Sequence, residues 1–257
     1  VSLTAANQAP IVFDLGTGLT PFGELCDAPF NGAALLSHLH WDHVQGLPFF
    51  RPLHKAGASL DIYGPRQDGG RLGEVFEQLM SPPFFPIRPS DLGAEIRFHD
   101  TVDDDFPIGL AKVRSRWVRH TGPTLGFRVE CNGVSVAYIP DHGPGCCPDD
   151  ADDFIPHDVL ELCDGVDVLI HDAQHTDVEY EPKRHWGHCT VDYAVHVARE
   201  AGAHRLVLFH HDPLHGDDDL DGITQAACDH AAALGAPEVI AAYEGLELDL
   251  KPTAGVR

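Results

Sequence analysis

The segment Ser37-His38-Leu39-His40-Trp41-Asp42-His43 packs four ligand-type side chains into six residues. It follows the apolar run Ala33-Ala34-Leu35-Leu36 directly. If that run is a buried strand, side chains alternate along it with period two. His38 and His40 then point the same way and both imidazoles can reach one ion. Asp42 and His43 are adjacent, need a turn to converge, and serve a second ion beside the first. A solvent-facing His-rich tract would bind metal only adventitiously, and the buried strand in front of this segment argues against that. The chain holds 18 histidines, and His is both the commonest metal ligand and a frequent acid–base group.

The elements that must position these residues alternate between strand and helix. Ile11 to Leu15 reads as a buried strand ending in the turn Gly16-Thr17-Gly18, and Ala33 to Ser37 as the next. Ser59 to Tyr63 alternates and stops at Gly64-Pro65. Leu72, Val75, Phe76 and Leu79 give Arg71 to Met80 a helical face, closed by Pro82-Pro83. From about Ala94 the pattern turns to consecutive strands: Ala94 to Phe98, Gly109 to Arg119, Thr124 to Cys131 and Val134 to Ile139. Asn132-Gly133 supplies a hairpin turn. After that, Val166 to Ile170 reads as strand, Val191 to Ala201 as helix and Leu206 to Phe209 as strand. Asp221 to Leu234 reads as helix and Val239 to Leu248 as the last strand. The acidic clusters Asp103 to Asp105, Asp149 to Asp153 and Asp217 to Asp219 are expected to be solvated loops. No Gly/Ser linker divides the chain, so one domain over 1–257 is expected.

A chain of 257 residues is long enough for a substantial core. Lys and Arg total 17 against 40 Asp and Glu, a formal charge of −23. Such a surface repels nucleic acid backbones at long range, so no stable nucleic-acid partner is expected. No apolar run approaches the twenty or so residues of a spanning helix. Seven scattered cysteines do not form a disulfide framework. The first residues show no basic and then apolar leader, so a cytoplasmic location is the expectation.

The pattern H-x-H-x-D-H after a strand resembles the signature of the metallo-β-lactamase-fold hydrolases. The resemblance implies a four-layer αββα sandwich with a dinuclear metal site at one edge of its two sheets. It covers nearly the whole chain from Ile11, and part of the family's N-terminal strands is expected to be missing. The family's later ligands lie on strand ends, and Arg119-His120-Thr121, Tyr138-Ile139-Pro140-Asp141 and Leu206 to His210 occur in the implied order. The resemblance therefore implies His38, His40 and His120 on the first ion and Asp42, His43 and His210 on the second. Asp141 bridges them, with a water or hydroxide on the other side. His211 competes with His210, which holds the strand-end position. N/O donors without Cys suit Zn²⁺, and Mn²⁺ or Fe²⁺ also fits the set.

Two further motifs narrow the branch. Asp167-Val-Leu-Ile-His-Asp-Ala173 is similar to a strand and motif of ribonuclease Z, with Asp172 where Glu is usual. Gly187-His188-Cys189-Thr190 is similar to that branch's Gly-His-Ser-Thr. Carried over, His188 faces the scissile phosphate as acid, Asp172 orients it, and Asp42 belongs to the catalytic set. A protonated His helps the leaving oxygen depart while a metal-activated water attacks phosphorus. The ending Phe209-His-His-Asp-Pro-Leu-His-Gly-Asp-Asp218 departs from ribonuclease Z and resembles bacterial class-II-like cyclic-nucleotide phosphodiesterases. No long Gly/Pro-rich basic arm for tRNA is present.

The expected activity is hydrolysis of a small phosphodiester or cyclic nucleotide. Lactone, ester or thioester hydrolysis and tRNA 3′-processing are the alternatives, with a homodimer compatible with each. A small anionic substrate could meet Arg119 beside His120. Lys112, Arg114 and Arg116 alternate on the strand before it, either as further phosphate contacts or as a solvated face. Lys183 and Arg184 precede His188 with the same ambiguity. Trp41 and Trp186 flank the motifs, as base-stacking surfaces or as plain wall.

Overall fold

A computed structural model describes residues 1–144 and 155–252. Two compact units divide the chain, Val1–Leu110 and Ala111–Arg257.

The first unit begins with β1 (Ser2–Ala5), β2 (Gln8–Phe13), α1 (Leu19–Glu24) and β3 (Asn31–Leu35). The one-turn helix α2 (Trp41–Val44), β4 (Ser59–Pro65), α3 (Leu72–Leu79), β5 (Glu95–Thr101) and β6 (Asp105–Ile108) follow. Five strands form a sheet in the order β1-β2-β3-β4-β5. β1 and β2 are antiparallel, and β2 to β5 run parallel. β1 and β6 were not readable as strands, being four residues each with half-buried alternation. The core of this unit gathers Val12, Leu36, Phe50, Leu60, Ile62 and Phe76 from strands, loops and α3. The α3 face is the one its 3.6-residue spacing predicts: Leu72 and Phe76 are buried, and Glu74 returns a bond to the Arg71 backbone N–H at 3.0 Å. Because β2 and β3 are parallel and paired Phe13 to Leu35, their C-terminal ends lie side by side. Asp14 and Ser37 emerge there together.

The second unit runs β7 (Ala111–Trp117), β8 (Leu125–Cys131), β9 (Val134–Ile139), α4 (His157–Cys163) and β10 (Val168–Asp172). It continues with α5 (Asp177–Tyr180), a 3-10 segment over Glu181–Trp186, α6 (Val191–Glu200), β11 (Arg205–Phe209), α7 (Asp217–Leu234) and β12 (Glu238–Ala241). Its strands follow the order β12-β11-β10-β9-β8-β7. β7, β8 and β9 form an antiparallel meander, and β9 to β12 are parallel. Asn132 and Gly133 both take positive φ, 52° and 80°, at the β8–β9 turn, as a tight hairpin turn of that type demands. α6 buries Val191, Ala194, Val195, Val197 and Ala198 against β10 and β11, and α4 buries Val159, Leu162 and Cys163. With two reversals between them, β7 and β9 point the same way. The C-terminal ends of β7, β9, β10 and β11 therefore reach one edge of this sheet. His120, Asp141, Asp172 and His210 all leave strands at that edge.

Two expectations change and one is not tested. Asp217 to Asp219 are not a loop but the first turn of α7, where three carboxylates oppose the positive helix end and Asp219 accepts from Gly216 N–H at 3.0 Å. The cluster Asp149 to Asp153 lies outside the described residues. The last strand covers only Glu238–Ala241 rather than Val239 to Leu248. Its partner β11 ends at Phe209, where His210 turns with φ 56°, so the ladder has nothing to pair beyond that point. Among the described residues no helix is long and apolar enough to cross a membrane.

Candidate metal and acid–base site

In the first unit the donors sit on the strand end and the one-turn helix that follows it. The His38 and His40 rings lie 4.4 Å apart, centroid to centroid, and His38 and His43 lie 4.2 Å apart. α2 turns Asp42 back onto His43, Oδ2 to Nε2 at 3.1 Å. Behind them stands Asp14, which the sequence reading missed because it lies 23 residues before Ser37. Its carboxylate accepts Ser37 N–H at 2.7 Å and Ser37 Oγ–H at 3.0 Å, and lies 2.7 Å from His43 Nδ1. Burial would raise the Asp14 pKa, but the attraction of His43, the bond to it and the charge of His38 hold the group below its usual value. An ionised Asp14 keeps the proton on His43 Nδ1 and leaves the Nε2 lone pair for an ion, the carboxylate–histidine arrangement of metal ligands. Gly16 and Gly46 let the loops close over this corner: a Cβ on Gly46 would sit 1.8 Å from the Gly16 carbonyl oxygen.

In the second unit His120, Asp141 and His210 converge at the sheet edge. Asp141 is buried, with Oδ2 3.5 Å from His120 Nε2 and Oδ1 3.4 Å from His210 Nε2. His120 Nδ1–H donates to the Gly187 carbonyl at 2.7 Å, which turns the Nε2 lone pair toward the Asp141 carboxylate. A lone pair facing a carboxylate is stable only with a proton or cation between them, so these donors fit a divalent ion. The Gln174 amide lies 2.9 Å from His210 Nδ1; its carbonyl, turned to the ring, would accept Nδ1–H and present Nε2 in the same way. Gly187, with φ 90°, cannot be replaced freely, since a Cβ there would stand 2.5 Å from His120 Nδ1. Neither Gln174 nor Gly187 is an ionisable type, so only their neighbourhood to the motifs marked them. His211 lies away from this set, its Nε2 donating to Ala242 C=O at 3.2 Å.

The candidate acid–base pair, His188 and Asp172, is held by several hydrogen bonds. His188 Nδ1 lies 2.7 Å from Asp172 Oδ2. Asp172 is fully buried and also accepts His142 N–H and Gln174 N–H, each at 3.0 Å. Three donors fix the carboxylate, and it in turn fixes the imidazole with Nε2 outward. The His188 ring stacks on His210 at 4.8 Å and 21°, and Nδ1 is 3.9 Å from Asp141 Oδ2. Asp141, His188 and His210 offer ligand atoms within 4.8 Å of one another, closer than the sequence alone implied. His188 precedes α6 by three residues, and Thr190 caps that helix by accepting Tyr193 N–H at 3.1 Å.

Arg119, an expected substrate contact, and Arg116, left open between phosphate contact and solvated face, fare differently. Arg116 does not look to a substrate: Nε and Nη2 donate to Glu161 on α4 at 3.0 and 2.8 Å, and Arg114 lies 3.5 Å from the same carboxylate. Arg114 and Arg116 on β7 thus pack against α4, while Lys112 is exposed. Arg119 stands between: its carbonyl accepts from His142 Nδ1 at 3.2 Å and from Gly143 N–H at 2.9 Å, and its charge acts on His142 and Tyr193. His142 and His171 lie behind the pair, fully buried, with His142 Nε2 3.1 Å from Tyr193 Oη. Burial first, then the charge of His171, pushes the His142 pKa well below its usual value, and burial lowers that of His171 too.

The chain is similar to known proteins in sequence and fold. Residues 19–211 match the Beta-lactamase superfamily domain. An uncharacterised protein of Mycobacterium tuberculosis is 29% identical over 235 residues, covering 88% of this chain and 79% of that protein. A ribonuclease Z of Lactococcus lactis subsp. cremoris is 29% identical over 221 residues, covering 68% of this chain and 69% of that enzyme. Among solved structures, the metallo-β-lactamase fold protein YhfI from Bacillus subtilis superposes with a TM-score of 0.71 at 18% identity, over 95% of this chain and 88% of that one.

Proposed function

The chain belongs to the β-lactamase superfamily and has the metallo-β-lactamase fold, and from that premise we propose that it is a dinuclear metal-dependent phosphodiesterase acting on a small phosphodiester. The proposal takes 1–257 as one functional domain, because residues 19–211 match a single family. It assigns His38, His40 and His120 to one ion, Asp42, His43 and His210 to the other, and Asp141 to both. Two divalent ions, Zn²⁺ by the donor types, would supply Lewis acidity toward a phosphoryl oxygen and a water acidic enough to attack.

The observation that carries the phosphodiester reading is the Asp172–His188 pair beside Asp141 and His210. A phosphodiester with an unactivated leaving oxygen gains from a proton delivered to it. His188 carries that proton on Nε2. Asp172 holds the ring in place, with Nε2 outward. Support also comes from the ribonuclease Z relative, whose name denotes an enzyme of RNA. The charge of −23 favours a small anion drawn to a local metal site over a long polyanion. Cys26, Cys131, Cys163, Cys189 and Cys228 are free thiols, which suits work in the reducing cytoplasm.

A panel of bis-p-nitrophenyl phosphate, cyclic nucleotides, lactones and nitrocefin, with metal-loaded protein, tests the reading. Turnover of the phosphodiesters above the others is expected. Preferential turnover of lactones or of nitrocefin overturns it.

A further inference from the structure

Trp186 lies two residues before His188, at the end of the 3-10 segment over Glu181–Trp186, and its indole is half exposed. An isolated exposed aromatic needs no explanation, but this one is held from several sides. The Lys183 ammonium sits 5.4 Å from the ring centroid, within cation–π range. Lys183 is itself tied to Asp212 Oδ2 at 2.8 Å, and Asp212 is buried and anchored by Leu214 N–H at 3.0 Å. The edge of the indole meets the His175 ring at 6.5 Å and 69°. His175 is fully buried, with no hydrogen-bond partner at either ring nitrogen among the described residues. Gly187 then turns the chain in the left-handed region, its carbonyl holding His120 and its neighbour His188 held by Asp172. Trp186 is therefore fixed to the same short segment that positions the acid and one metal ligand.

We propose that Trp186 is a stacking platform for a nucleobase, so that the substrates of this site are phosphodiesters of nucleosides rather than of simple alcohols. The inference rests on the phosphodiesterase reading for its phosphate, and on the platform alone for its base. A rigid indole offers a flat, sequence-tolerant surface to any base. The Lys183 ammonium already lies against the ring, its charge offset by Asp212, so a cationic head group such as choline finds that place taken. A neutral planar ring can stack on the exposed part of the indole without displacing that ion pair, and the phosphate joined to it is left to the metal site.

The test compares adenosine 5′-monophosphate with ribose 5-phosphate, which carries the same phosphate without a base. Binding to metal-loaded protein is followed by calorimetry and by quenching of tryptophan fluorescence, for the parent, Trp186→Leu and Trp186→Phe. The parent should prefer the nucleotide. Trp186→Leu should lose that preference by about 10-fold or more, while ribose 5-phosphate binds as before, and Trp186→Phe should retain most of it. Equal preference in the parent and Trp186→Leu, or no preference in the parent, overturns the inference. A parent that prefers the nucleotide through Trp186 but hydrolyses no phosphodiester keeps the platform and sinks the phosphodiesterase reading. A parent that hydrolyses phosphodiesters with no dependence on Trp186 does the reverse.

Discussion

Replacing His188 by Ala separates acid catalysis from mere packing. The imidazole gives Asp172 one of its three donors, and the other two are the backbone N–H groups of His142 and Gln174. Asp172 therefore stays hydrogen-bonded in His188→Ala, and the fold should lose about 1.5–3 kcal/mol, the range for one charge-assisted bond. The rate should fall far more. A positioned general acid contributes about 10²–10⁴, or roughly 3–5 kcal/mol of barrier. That loss should apply to a diester whose leaving alcohol is unactivated and shrink toward nothing for p-nitrophenolate, which departs without a proton. Metal content decides between acid and ligand, because His188 lies within reach of Asp141 and His210. An acid leaves the metal count unchanged; a ligand does not. The assay is turnover of a good and a poor leaving group by parent and variant, with metal measured in both. Unchanged turnover of the poor leaving group, or metal lost along with activity on both substrates, would refute the role given to His188.

Other perturbations follow from the same geometry. Gly187→Ala places a Cβ 2.5 Å from His120 Nδ1 at φ 90°; it should cost about 1–3 kcal/mol and weaken metal binding by about 10-fold or more, read by chemical denaturation and competitive metal titration. Arg116→Ala removes the fork to Glu161; unfolding should become easier by about 1 kcal/mol or slightly more, with KM for a phosphodiester unchanged, whereas a raised KM would restore the phosphate-contact reading. The folded-state pKa values of His142 and His171 are lowered, so the unfolded chain binds more protons once pH drops below the usual His value. Stability should be full above about pH 6.5 and fall as pH decreases from there; melting temperatures flat between about pH 7 and 5 would contradict the burial of both rings.

Much of this site could be read before any coordinates. His38, His40, Asp42 and His43 announce themselves because four donors in six residues follow an apolar strand. His120, Asp141 and His210 became candidates only through the resemblance to the metallo-β-lactamase-fold hydrolases, whose later ligands end strands in this order; the parallel run of β9, β10 and β11 is what brings such ends to one edge. Asp172 and His188 are 16 residues apart and were joined only through two short motifs; the 2.7 Å contact supplies the reason. Asp14 was invisible because a lone Asp after a strand looks like a turn residue, and its partner Ser37 is brought beside it by parallel pairing. The basic stripe on β7 had the correct alternation but the wrong partner, since nothing in one strand tells which helix will cover it. Asp217 to Asp219 read as loop because Asp is a poor helix former, yet at a helix start the same charge is favourable.

The central claim is that the residues of the H-x-H-x-D-H segment and those of the later strand ends serve one pair of ions. Metal analysis of reconstituted parent, His38→Ala and His120→Ala proteins tests it most directly. The account predicts two divalent ions per chain in the parent, and loss of bound metal together with phosphodiester turnover in each variant. A parent that binds no metal, or one in which both ions and full turnover survive either substitution, would contradict it.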